Sequence, residues 1–552
     1  MSLLEVHAIN EAKAKPPANA SRPATSRVTK WLAALGFALL FAAIYGRLMG
    51  YGLRRDEMLF VPPAVLLPDL QLYGDYFYNH VPYSAWYFKA MALIFGSGGL
   101  LFSTRLGIFF AWVGLAAAMG WTMLRLSGSI RMAAFGVISV LTSHALMDGP
   151  GMAATNNLLQ LPFALFGMGL FLVEVKGATL RPATLVLSGV MLSVATGMKV
   201  SSVAFIPPIA IAAFLLPAAL PFSARLTRVV LPVLAGGLIG ALPLFWLLLS
   251  DPDLFLAHIM KFHVGPHVTY WEANKLSEPD LAMGLGQKLQ LAYGVWLQGA
   301  ALIVALVILA LAWMGRTAAV ARTKGRWSDR SALGLILVVL ATLVTTAGMS
   351  LTPTPGFSQY YIAPLVCLPV LAALIYDALP PATRAQSWPL LSAATAMLVL
   401  IAVPWLAPDM RKTLRPGMTT PAKIERGAAA LQDSIAQLRP AGSKVATFLP
   451  IYPLEAGLSV YPEFATGQFA YRIAPYTDPD LARFYVMAGP DDIGALFDRD
   501  PPQAILIGYE PALEAPLRDY ALTHGYRKVS VPHLDNRYGQ GEVYFNIGGQ
   551  EK

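Results

Sequence analysis

The chain has 552 residues, of which 56% are hydrophobic and 13% charged, with a formal net charge of +9. Soluble domains carry about 25% charged residues, so a chain of this length with half that share cannot be a set of globular domains in water. The excess of positive charge lies between long apolar runs, which makes it a topology signal rather than a nucleic-acid footprint, and no nucleic-acid partner is expected.

Residues 1–28 are polar, carry Pro16, Pro17 and Pro23, and lack a small-residue cleavage site before the first apolar run. They read as a disordered cytoplasmic tail rather than a removable signal peptide. Lys13, Lys15, Arg22, Arg27 and Lys30 place the N-terminus inside. A first helix over Trp31–Leu48 then delivers residues 50–82 to the outside.

The segment Tyr83–Phe95 is too short to span: 13 residues at 1.5 Å each reach roughly 20 Å of a 30 Å core. It reads as an interfacial helix on the outer surface. Trp86, Tyr87 and Phe88, with Tyr76, Phe77 and Tyr78 before the helix, read as an interfacial belt in preference to a sugar platform, with stacking on a sugar or prenyl chain left open for one or two of them. Spans follow over about 101–124, Met132–Met147 and Leu158–Val173. Residues 183–217 are too long for one span and divide near Lys199 into two. Further spans cover Val229–Leu249, Trp296–Met314, Leu333–Met349, Tyr361–Tyr376 and Trp388–Leu406. This count of eleven puts Arg125, Arg131, Lys176, Arg181, Arg225, Arg228, the basic loop Arg316–Arg330 and Arg384 all inside.

Residues 411–552 change character and emerge outside. Helical patterns over Ile424–Leu438 and Pro511–His524 alternate with strands at Lys444–Phe448, Ala504–Gly508, Lys528–Val531 and Glu542–Phe545. That is a small α/β domain, with no Gly-rich phosphate loop, and its expected role is a lid or an acceptor-binding module. The fold class is thus an α-helical polytopic membrane protein, with residues 29–410 in the bilayer and a soluble domain on the outer, periplasmic side of the plasma membrane.

Informative polar residues collect on that outer face: Arg55, Asp56 and Glu57 after the first helix, Asp75 and His80 in the first loop, Asp148 and Asn157 around the third turn, Lys199, and Gln359-Tyr360-Tyr361. Any one of them reads as a solvated loop residue; their convergence on one face favours a site. His258, His263 and His267 lack zinc spacing and would not share one helical face, so ordinary loop histidines are preferred over a divalent metal site.

Arg55-Asp56-Glu57, followed by Gly74-Asp75-Tyr76 and His80-Val81-Pro82-Tyr83, resembles the first outer loop of GT-C glycosyltransferases. The nearest group is that of the protein O-mannosyltransferases and lipid A aminoarabinose transferases. The segments FSTRLGIFFAWVGLAAAMGWTMLRLSG, LSGVMLSVATGMKVSSVAFIPP and FSQYYIAPLVCLPVLAA resemble later helices of that family. The resemblance runs over residues 30–377 and leaves out 413–552.

It implies an inverting transfer of a sugar from a polyprenyl-phosphate donor to an envelope glycan, lipid or protein, within membrane lipids; no cofactor is expected, and a divalent metal is left open. Asp56 corresponds to the catalytic base, with Glu57 beside it. Arg55, His80, Lys199 and Tyr360 are expected at the donor phosphate, and Asp75, Tyr83, Asp148, Asn157 and Tyr361 at the substrates. Asn79-His80 stands where some relatives carry Glu-Lys, and Asn156-Asn157 where many carry Asp, so specificity is expected to differ. A transporter or flippase, and a non-catalytic envelope assembly protein of the same fold, are the rival readings. Transporters show internal repeats and midplane charges, and neither is evident here.

Overall fold

The computed structural model of the chain describes residues 27–177, 179–276, 281–320 and 330–547. The expected tail, and most of the expected basic loop, lie outside these residues.

Helices form at all eleven expected places, and Tyr83–Phe95 is a separate helix with the expected bounds. They are α1 (Arg27–Gly50), α2 (Tyr83–Phe95), α3 (Leu100–Ser127), α4 (Ile130–Leu141), α5 (Asn156–Lys176), α6 (Pro182–Met198), α7 (Ile206–Leu215) and α8 (Leu231–Ser250). After the short α9 (Pro266–Ala273) and α10 (Leu285–Trp296) come α11 (Gly299–Val320), α12 (Arg330–Leu351), α13 (Cys367–Ala378) and α14 (Trp388–Thr413). Among the described residues, seven helical stretches are long and apolar enough to cross a membrane, and four further apolar helices at expected places are shorter. The outward faces of α8 and α11 carry Leu242, Trp246, Leu249, Leu309 and Trp313, all exposed. An apolar surface of that extent suits lipid, not water.

Helix α2 starts beside His80 and ends just before Leu100, whose N–H is capped by Glu455 of the C-terminal domain. Both of its ends therefore lie at one end of the bundle, and it does not cross. The break at Lys199 is also as expected. Lys199 is extended (φ −151, ψ 122), a 3-10 turn follows, and Pro207 and Pro208 open α7. Helix α6 runs alongside α8 so closely that a side chain at Gly236 would collide with the Val186 carbonyl. Small residues permit such approach where there is no water-driven force between helices. Helix α7 turns back along α12, where the Thr345 hydroxyl donates to the Ala204 carbonyl at 2.8 Å.

The C-terminal domain opens with the amphipathic helix α15 (Thr420–Leu438). A five-stranded sheet follows, from β1 (Lys444–Thr447), β2 (Ser459–Val460), β3 (Ala504–Ile507), β4 (Arg527–Val529) and β5 (Glu542–Phe545), in the order β2-β1-β3-β5-β4. Strand β1 is parallel to β2 and β3, while β5 runs antiparallel to β3 and β4. Between β2 and β3 sits the short helix α16 (Gln468–Ile473), and α17 (Ala515–Thr523) follows β3. The domain is fastened to one end of the bundle. Glu455 accepts from the N–H groups of Leu100 and Leu101, Glu510 pairs with Arg55 at 3.0 Å, and the Tyr485 hydroxyl donates to the Ala257 carbonyl.

Candidate active site

Four residues, Glu57–Phe60, form a single helical turn after α1, and Asp56 sits at its start. The turn is locked through Glu57. Arg105 of α3 donates to both Glu57 oxygens, at 2.9 and 2.8 Å, and the N–H groups of Arg54 and Ala154 donate to them at 2.9 Å each. Glu57 is fully buried, its oxygens are fully engaged, and it does not line the cavity next to it. Sequence adjacency thus separates two carboxylates by role: one anchors, its neighbour faces out.

Asp56 lines a cavity of about 290 Å³ between the bundle end and the C-terminal domain. Among the described residues, no donor lies within hydrogen-bond distance of its carboxylate. Lys199 closes the same cavity from the α6–α7 turn. Its Nζ donates to Asn157 Oδ1 at 2.5 Å and lies 5.1 Å from the Tyr360 ring centre. Burial pushes the Lys199 ammonium down to about 7, against the pull of the Asp56 carboxylate. The cavity therefore sets a buried amine, whose charged form burial disfavours, near a carboxylate that faces the same space.

On another wall, His80 stacks on Phe60 at 4.8 Å and approaches His263, whose Nε2 meets the Asn79 carbonyl at 2.8 Å. Burial, together with His263, Lys199 and His267, holds the His80 imidazole well below its usual range, so it is neutral at pH 7. His267 lines the cavity too, but His258 is buried elsewhere, against Phe77 and the Phe484 carbonyl. Among the described residues, no three His, Cys, Asp or Glu side chains are grouped to hold a metal ion.

Of the expected site residues, Arg55, Asp56, His80, Asn157, Lys199 and Tyr360 meet in this cavity. Five others stand apart with Glu57 the nearest of them. Asp75 is exposed and accepts from the Gln71 N–H within its own turn. Tyr83 wedges between α6 and α8, its hydroxyl donating to the Gly240 carbonyl at 2.6 Å. Asp148 accepts from the Tyr51 hydroxyl and lines a different cavity of about 440 Å³ with His144 and Gln290. Tyr361 is fully buried beneath Trp296.

Phe469, Arg472, Arg537 and Tyr538 of the C-terminal domain also line the cavity, and the sequence reading missed them. One signal was present: Arg472 sits in an aromatic stretch with no acid between Glu463 and Asp478.

No protein-family model and no curated protein matches the chain. Its structure is similar to two crystal structures of ArnT from Cupriavidus metallidurans. One, bound to undecaprenyl phosphate, superposes with a TM-score of 0.61 at 15% identity, covering 94% of this chain and 99% of the other. The apo form gives 0.60 at 14% identity, covering 95% and 99%. The chain therefore has the GT-C fold. The likeness is also wider than the sequence resemblance over residues 30–377, because the unmatched remainder is far smaller than the C-terminal domain.

Proposed function

We propose that the protein is an inverting glycosyltransferase that takes a sugar from a polyprenyl-phosphate donor and passes it to a hydroxyl of an envelope glycan, lipid or protein. The observation that carries this reading is the free Asp56 carboxylate beside Lys199 in a cavity roofed by the C-terminal domain. The ArnT crystal structure bound to undecaprenyl phosphate supports a lipid of the same class here.

The acceptor hydroxyl oxygen attacks the anomeric carbon while Asp56 takes its proton. The bond from that carbon to the phosphate oxygen breaks, and polyprenyl phosphate leaves as an anion that needs no protonation. Attack opposite the leaving group inverts the anomeric centre. Lys199 and Arg55, with hydrogen bonds from His80 and the Tyr360 hydroxyl, meet the growing phosphate charge. Asn157 holds Lys199 in place. Glu57 acts through position alone, fixing the turn that aims Asp56.

A second cavity, of about 400 Å³ and apolar, is lined by Tyr87, Phe110, Trp121, Leu159, Phe163 and Phe166. Leu159, Phe163 and Phe166 continue the stripe of α5 that begins with Asn156 at the polar cavity, so a prenyl chain laid there keeps its phosphate beside Lys199. This reading puts the cavity on the outer face of the plasma membrane, with the N-terminus inside, in keeping with the basic residues between the apolar runs.

The test is turnover by purified protein in lipid nanodiscs, offered a panel of undecaprenyl-phosphate sugars and envelope extract, followed by mass spectrometry. Release of undecaprenyl phosphate with a glycosylated product, lost in Asp56→Asn, is the expected result. Activity undiminished in that variant sinks the assignment of the base.

A further inference from the structure

The C-terminal domain brings two cations to the cavity, the exposed Arg537 and the buried Arg472, and among the described residues Arg472 has no ion pair. Helix α16 begins after Gly467, in a left-handed conformation (φ 70) and set against Met58, next to the turn that carries Asp56. Four residues into that helix region, the Arg472 side chain is 5% exposed. Its guanidinium carbon lies 5.1, 5.0 and 4.9 Å from the ring centres of Tyr270, Trp271 and Phe469. Those rings cover its faces. Among the described residues its Nε has no hydrogen-bond partner, and no carboxylate lies within ion-pair distance of it.

Of the other cations of the cavity, Arg537 is exposed to solvent and Arg54 lies over the Tyr51 ring. Arg55 pairs with Glu510, and Lys199 has Asn157 and the nearby Asp56. A buried charge without a partner is costly, and three aromatic faces offset that cost only in part. Burial works against the charged form of Arg472, as does Arg55 nearby, and the opposing pull of Tyr270, Tyr509 and Glu510 does not make this good. A folded protein keeps such a group where something else completes it. A planar guanidinium with covered faces and unmet N–H edges fits one chemistry best, two oxygens of a single oxyanion held by parallel hydrogen bonds.

We propose that Arg472 is an anion-binding residue that grips the phosphate of the lipid-linked ligand, so that the C-terminal domain completes the site rather than merely covering it. The choice of a lipid phosphate rests on the function proposed above; the anion site itself does not. Arg472 binds phosphate oxygens whether they belong to undecaprenyl phosphate or to inorganic phosphate, and only the lipid also fills the apolar cavity.

The experiment is binding of undecaprenyl phosphate to the full chain in nanodiscs, with inorganic phosphate as competitor, for the wild type, Arg472→Lys and Arg472→Gln. Melting temperature without ligand is read in parallel. Arg472→Gln is expected to weaken lipid binding at least tenfold and to abolish competition by phosphate. Arg472→Lys, which lacks the fork, is expected to fall between. The ligand-free melting temperature of Arg472→Gln is expected to hold or rise, because an uncompensated buried charge has gone. A lower melting temperature with unchanged affinity overturns the proposal and makes Arg472 structural. So does a wild type that binds neither form of phosphate. Should Arg472→Gln lose binding while no donor turns over, the anion site stands and the glycosyltransferase reading falls. Should turnover depend on Asp56 with Arg472→Gln unaffected, the reverse holds.

Discussion

Arg105 and Glu57, 48 residues apart, form a two-pronged ion pair with both side chains fully out of water. The remaining Arg105 donors reach the carbonyls of Leu48, Tyr51 and Gly52, so one guanidinium ties the end of α1 to the turn that carries Asp56. The acidic dipeptide after the first helix thus contains one buried, anchoring carboxylate and one that faces the cavity.

Breaking that pair leaves a buried charge alone. Glu57→Gln and Arg105→Leu are each expected to destabilise the protein by about 3–5 kcal/mol. Glu57→Leu combined with Arg105→Leu should recover part of the loss. Thermal unfolding of the four proteins in one detergent checks this; equal melting temperatures for single and double variants contradict it.

Asp56→Asn changes no buried contact among the described residues. Its melting temperature should match the wild type while kcat falls by roughly 10²–10⁴, the share typical of a positioned general base. A fall in stability comparable to that of Glu57→Gln would show that Asp56 is also structural.

Lys199 gives the site a pH signature. Its free-state value of about 7 rises when a phosphodiester anion sits beside it, so binding takes up a proton. Donor affinity is therefore full below pH 7 and weakens as pH rises, by roughly tenfold per unit until the bound-state value is reached. Lys199→Arg, always charged, should flatten the profile. A phosphodiester donor does not titrate in this range, so KM measured from pH 6 to 9 reports the protein alone. A flat wild-type profile removes Lys199 from the phosphate.

The contact of α6 with α8 depends on the absence of a side chain at Gly236, where any Cβ meets the Val186 carbonyl. Gly236→Val should force the helices apart, lowering the melting temperature and displacing Lys199 at the end of α6. Gly36, which has open space around its Cβ position, is the control, and Gly36→Val should leave both stability and donor affinity unchanged.

Much of the fold was legible because its signals are local. An apolar run needs no partner to declare itself, so the helix positions, the break at Lys199 and the non-crossing Tyr83–Phe95 all follow from length and hydropathy. In the C-terminal domain the strands at 444, 504 and 542 stood out by apolar pattern, whereas the two-residue strand Ser459–Val460 exists only through pairing with Lys444 and Val445.

By itself, then, the sequence determined a polytopic helical bundle, a soluble α/β appendage and a polar cluster at one end that includes Asp56, Lys199 and Tyr360. The tertiary structure alone decided which side chains face one another. Glu57 and Asp56 carry the same charge on adjacent residues, and only the approach of Arg105 turns one of them inward. Asp75, Tyr83, Asp148 and Tyr361 lie in the expected stretches of chain but point to other partners. Arg472 is more than 400 residues from Asp56 in the chain, and no local pattern brings them together. Hydropathy is a property of a segment, but a site is a property of directions, and directions are set by packing.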